Sequence, residues 1–142
     1  MKNDPSESDS SFGLVSCGSS GRWGVDLEES MDGTESLLAL EGPNVYLVCS
    51  LRDRQVIGEA LDYLRAVHKQ TRALMLGRFG SVSVSLCCDK EDHKQCFLII
   101  GPVDACTVRL ALSEEDTAML AEALGKAYEH LPQAQQDRTR PS

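Results

Sequence analysis

The stretch Cys106-Thr107-Val108-Arg109-Leu110-Ala111-Leu112-Ser113-Glu114-Glu115-Asp116 changes its period in mid-course. Up to Leu112, Cys106, Val108, Leu110 and Leu112 alternate with Thr107, Arg109 and Ala111, the pattern of a strand with one face in a core. Beyond Ser113 the period turns helical, and Leu120, Ala123, Leu124, Ala127 and Leu131 form one apolar stripe. Ser113 followed by Asp116 is a capping-box variant, and the three acids of the first turn suit the positive end of a helix dipole. Lys126 and His130 stand near the far end, where Pro132 stops the helix. A strand runs straight into a capped helix.

The first half repeats this logic. Ser50-Leu51-Arg52-Asp53 reads as a cap, and Val56, Ile57, Ala60, Leu64 and Val67 as the buried stripe behind it. Around these helices the chain is punctuated into short strands. Val82, Val84, Leu86 and Cys88 alternate with Ser81, Ser83, Ser85 and Cys87. Phe97–Ile100 reads as a buried strand, and the polar Asp89–Gln95 joins 81–88 to 96–101 as a hairpin. Leu74–Phe79 is a further strand bounded by Gly77 and Gly80. Earlier, Trp23, Val25 and Leu27 alternate with Gly24 and Asp26; Leu37–Leu40 and Val45–Cys49 follow, split by the turn signal Gly42-Pro43. Phe12–Cys17 makes one more short strand. The pattern predicts an α+β fold with antiparallel sheets and two helices.

Bulk properties bound the rest. The length of 142 residues fits one domain with a sizeable core. Residues 1–11 read as a disordered acidic tail, 12–131 as a single α+β domain, and 132–142 as a flexible C-terminal tail. No apolar run is long enough for a membrane span, and the N-terminus lacks the basic start and apolar stretch of a signal peptide. The expectation is a cytoplasmic protein that does not engage membranes. Net charge is −8, spread as −7 over residues 1–50, +2 over 51–110 and −3 over 111–142. Such acidity disfavours indiscriminate binding to nucleic acid, while the basic middle leaves room for a local anion-binding surface. In such a compartment the six cysteines read as free, mostly buried thiols.

Sliding the chain on itself by 63 residues sets Ser50 on Ser113, Asp53 on Asp116, Glu59 on Glu122, Ala60 on Ala123 and Leu61 on Leu124. Two capped amphipathic helices resemble each other anyway; the other explanation is a duplicated unit, with pseudo-repeats 12–70 and 73–131, each readable as ββββα. A tandem ββββα-ββββα layout, with Val82-Ser83-Val84-Ser85-Leu86 on a hairpin and Val108–Glu115 running into a helix, resembles the Pur and Whirly-type binders of single-stranded nucleic acid. The single-repeat transcriptional coactivators are similar. The resemblance implies curved sheets backed by helices, strands that face single-stranded DNA or RNA, and self-association into a homo-oligomer.

Candidate site residues follow. Arg54, Arg65, Lys69 and Arg72 cluster within about 60° on a helical wheel, with Arg78 soon after, and read as a solvated basic face or a docking strip for phosphates or an acidic partner. Ser81, Ser83, Ser85, Thr107 and Arg109 form an outward polar face of the sheet. Trp23 and Phe79 are aromatics that either pack in the core or stack on bases.

Catalytic chemistry has little support. Cys88, His93 and Cys96, with Cys87 or Cys106, are the only zinc-like grouping, but the spacing is irregular and Cys87 and Cys88 point to opposite faces of a strand. A Cys88–Cys96 cross-hairpin disulfide is open only where the thiols meet oxidant. His68, His93 and His130 are scattered, so no cysteine has a base in reach. Gly18–Gly24 is glycine-rich but lacks a P-loop ending. The expectation is a non-catalytic binding module without cofactor that binds single-stranded nucleic acid through its sheet face. The alternative is a protein–protein adaptor or chaperone-like dimer, and a zinc- or thiol-dependent enzyme ranks last.

Overall fold

The computed structural model describes residues 12–89, 91, 95–101 and 108–131. Alternating apolar residues and glycine turns sort the first half into β1 (Phe12–Ser20), β2 (Trp23–Ser30), β3 (Ser36–Gly42) and β4 (Val45–Leu51). Helix α1 (Gln55–Arg65) follows, then one 3-10 turn (Val67–Lys69). The second half runs β5 (Leu74–Phe79), β6 (Val82–Cys88), β7 (Cys96–Ile100), β8 (Val108–Leu112) and α2 (Glu114–Glu129). The fold is α+β, and the expected hairpin of β6 with β7 is present.

All eight strands lie in one antiparallel sheet in chain order. The ladders are long within each half but short at the junction, where only Ser50 with Arg78 and Leu51 with Gly77 pair. Two four-stranded half-sheets thus meet at β4 and β5. Each half opens with a similar hairpin. β1 and β5 both carry a bulge, and Gly21 and Gly80 supply the positive φ (58° and 64°) that the two tight turns need.

One face of the sheet carries both helices. Trp23, Val25, Leu27, Leu38, Leu40 and Cys49 from the first half join Leu76, Val84, Leu86, Leu98 and Leu112 from the second in a single cluster. The helices add Val56, Ile57, Ala60, Leu64, Leu120, Leu124 and Ala127 to it. Helix α2 lies across β1 and β2, so the C-terminal helix covers the N-terminal strands. Polar contacts fix that crossing: the Ser16 hydroxyl donates to the Ala127 carbonyl, Lys126 Nζ to Ser19 O at 2.9 Å, and Trp23 Nε1 to Asp116 Oδ1 at 3.1 Å. Helix α1 packs on β5 and on α2, and the Tyr63 hydroxyl donates to the Arg72 carbonyl at 2.9 Å, holding the chain as it leaves the 3-10 turn.

The cap of α2 is the expected one: Ser113 Oγ accepts from the Asp116 N–H at 3.0 Å. The cap of α1 is not. Ser50 remains in β4, held by its pairing with β5, and Asp53 Oδ1 accepts from the Val56 N–H at 3.1 Å instead. The internal correspondence shifts with it. Setting Asp53 on Ser113 aligns the buried helix positions Ile57 with Thr117, Ala60 with Leu120, Leu61 with Ala121, Tyr63 with Ala123 and Leu64 with Leu124. The order of four strands and a helix therefore recurs, at a spacing nearer 60 than 63 residues, and with helices of unequal length, 11 and 16 residues.

Candidate ligand-binding face of the sheet

The sheet face turned away from the helices is built by the pleat. In the second half, residues opposite one another on neighbouring strands share this face, so Met75, Ser85, Ile99 and Arg109 form one row across β5–β8. Arg78 and Ser83 sit beside that row, and Ser50 continues it into the first half. Cys87, Phe97 and Ala111 form the next row. Arg109 is exposed, and its guanidinium lies 4.0 Å from the centroid of the Phe97 ring, a cation–π geometry. Phe79 stands at the tip of the β5–β6 hairpin, 69% exposed.

Several sequence candidates are placed otherwise. Trp23 faces the helices and is 2% exposed, with its indole N–H spent on Asp116, so it has no face to offer a base. Ser85 points outward but is covered, 0% exposed, with no hydrogen-bond partner for its hydroxyl among the described residues. Period-two reading located its face correctly but not the closure of that face over it. Ser83 is half-buried. Thr107 lies outside the described residues.

The basic strip on α1 does not form. The helix ends at Arg65, which puts Lys69 in the 3-10 turn and Arg72 beyond it, off the wheel that grouped them. That turn keeps Val67 in the core, where a continued helix would have had to satisfy the same burial with a different face. Arg54 forms an ion pair with Glu29 of β2, both half-buried or deeper, so its charge is spent inside the fold. Arg65 is exposed but lines a cleft of about 590 Å³ between the helices that also holds Glu114 and Glu122, two carboxylates that offset it.

Phe97 was missed. Cys96–Ile100 is apolar throughout, so its sequence carries no period to say which residues face out. Registering it against Ser83-Val84-Ser85 of β6 would have assigned Phe97 and Ile99 to the outer face.

The outer face of the first half has different chemistry. Asp26, Glu28 and Glu41 project there with Tyr46, which is 68% exposed. A cleft of about 410 Å³ on this side is lined by Cys17, Asp26, Ala39, Glu41 and Tyr46, with Lys126 reaching over the β1 edge. One continuous face is therefore acidic over β1–β4 and basic, with Phe97, over β5–β8.

As for metal, Cys88 and Cys96 face the helices and Cys87 faces out, and His93 lies outside the described residues. Among the described residues no three His, Cys, Asp or Glu side chains gather at one point. No helix among them is long and apolar enough to cross a membrane.

A scan against protein-family models finds no match for this chain, and searches of curated proteins and of solved structures find none.

Proposed function

We propose that the chain is a non-catalytic binding module that holds single-stranded nucleic acid on the outer face of β5–β8. The observation that carries this reading is the Arg109–Phe97 pair, an exposed guanidinium 4.0 Å from the centroid of an aromatic ring, on the same outer sheet face as the exposed Arg78. Stacking platforms flanked by cations suit single strands because every base has a π-face and every nucleotide a phosphate. Phe79, exposed at the hairpin tip, pairs with Val82 and so stands on the other side of the sheet, outside this platform. The acidic half of the face repels phosphate and confines a strand to β5–β8. The tandem strand-and-helix order and its resemblance to Pur and Whirly-type domains support the same ligand class.

The test is a titration of a labelled single-stranded oligonucleotide at low and moderate salt. The reading predicts binding that weakens steeply with salt and is lost in Arg109→Glu and Arg78→Glu. No binding at low salt, or full binding by both variants, would overturn it.

A second reading is favoured by the first half. Leu14 (62% exposed) and Tyr46 (68%) lie on the same face as Asp26, Glu28 and Glu41, an apolar and acidic surface suited to a basic protein partner or to a second copy of the chain. Sizing chromatography beside the titration separates the two: a concentration-dependent dimer without oligonucleotide binding supports this one.

A further inference from the structure

We propose that Cys88 and Cys96 form a cross-strand dithiol site that small-molecule disulfides convert reversibly into an intramolecular disulfide. The two residues face each other directly in the β6–β7 ladder. The phase of that ladder is set by its ends, where the Asp89 N–H donates to Gln95 O at 2.9 Å and the Gly101 N–H to Ser83 O at 2.8 Å. Hydrogen-bonded and non-hydrogen-bonded pairs alternate in an antiparallel ladder, so Cys88 and Cys96, one step in from Asp89 and Gln95, are a non-hydrogen-bonded pair. At such pairs the Cα atoms approach to about 4.5 Å and the side chains stand closest, within the Cα range a disulfide spans. Opposite residues also share a face, so both sulfurs lie on the helix side.

Among the described residues the other thiols do not compete on geometry. Cys87 points to the opposite face, against Phe97, and Cys49 is buried in β4 of the other half-sheet. Cys17 is exposed on β1.

The pair also divides the chemistry between its members. Cys88 is half-buried and its thiol donates to the Gln70 carbonyl at 3.0 Å, whereas Cys96 is fully buried. Burial pushes the Cys96 thiol up to about 12, so the entering sulfur is Cys88. Its thiolate attacks one sulfur of the small disulfide, whose S–S bond breaks and releases one small thiol. Cys96 sulfur then attacks Cys88 Sγ, breaks the mixed disulfide and releases the second small thiol. The two cysteines lose two electrons and two protons, and the two released thiols carry them away. Closing the bridge takes Cys88 Sγ from the Gln70 carbonyl and so unties the end of β6 from the segment behind α1.

The experiment treats the reduced full chain with oxidised glutathione at pH 8, quenches by alkylation under denaturing conditions and maps the cysteines by mass spectrometry. The expected product is a bridged Cys88–Cys96 peptide, two hydrogens lighter than the reduced pair and restored by dithiothreitol. C96S is expected to stall as a stable glutathione adduct on Cys88. C88S, at a half-exposed position, leaves Cys96 unbridged and reduced, with circular dichroism checking that each variant folds. Full alkylation of both cysteines while Cys17 takes up glutathione would overturn the proposal. A bridge from either cysteine to Cys87 or Cys106 would overturn it equally.

Discussion

A Cβ atom on Gly77 would stand 2.0 Å from the carbonyl oxygen of Ser50. This contact is where the two half-sheets join, because Gly77 and Arg78 of β5 pair with Leu51 and Ser50 of β4. The clashing atom is backbone within a ladder, so it cannot swing aside as a side chain would. Gly77→Ala is expected to destabilise the fold by about 3 kcal/mol or more, read as a lower urea midpoint. Gly58 is the contrasting case, mid-helix in α1 with nothing within 4 Å of its would-be Cβ. Gly58→Ala is expected to stabilise by about 0.5–1 kcal/mol in the same measurement.

Ser85 holds a fully buried hydroxyl between Met75 and Ile99, with no partner among the described residues. Burying an unpaired hydroxyl is unfavourable, so removing it relieves the fold. Ser85→Ala is expected to leave stability unchanged or raise it by about 1 kcal/mol in urea unfolding. A loss of more than that amount would mean the hydroxyl has a partner.

The buried thiols set a pH dependence. Burial pushes Cys49 up to about 11 and Cys96 to about 12, from an ordinary value of 9.0. The folded state then keeps protons that the unfolded chain gives up, so this contribution to stability is complete below about pH 9 and is lost as pH rises through the folded values. Unfolding midpoints measured from pH 8 upward are expected to fall. In native protein at pH 8, iodoacetamide is expected to modify the exposed Cys17 first and to spare Cys49 and Cys96.

The nucleic-acid reading makes a quantitative demand on the Arg109–Phe97 pair. Phe97→Leu keeps the site apolar but removes the ring that holds Arg109 in place, and is expected to weaken oligonucleotide binding by about two- to fivefold, the ~0.5–1 kcal/mol of an exposed cation–π contact. Arg109→Ala is expected to reduce the slope of log affinity against log salt by about 0.7, one phosphate contact on a single strand. An unchanged slope would remove Arg109 from the interface.

The strand-to-helix passage around Ser113 was legible because its signals are local. The alternation of β8 and the Asp116 N–H seeking the Ser113 hydroxyl both act within a few residues. The same kind of signal misled at Ser50, where a serine three residues before an aspartate looked like a cap. Pairing with Arg78 of β5 keeps Ser50 extended, and no local pattern reports a partner 28 positions further along the chain. The basic strip failed for a related reason. A wheel assumes that the helix continues, and the chain instead ends α1 at Arg65 and keeps Val67 buried through a 3-10 turn.

Periodicity and caps in the chain settle that it builds antiparallel strands and two amphipathic helices, because each depends on a residue's own backbone and its near neighbours. The contrast between an acidic first half and a basic middle is likewise written in composition. Which side chains share a surface was decided only when the strands came into register. Phe97 lies under Arg109, Ser85 is closed over, and Cys88 meets Cys96, each through a residue on another strand. Such neighbours are set by ladder phase and sheet curvature, long-range quantities that an apolar run such as Cys96–Ile100 does not encode.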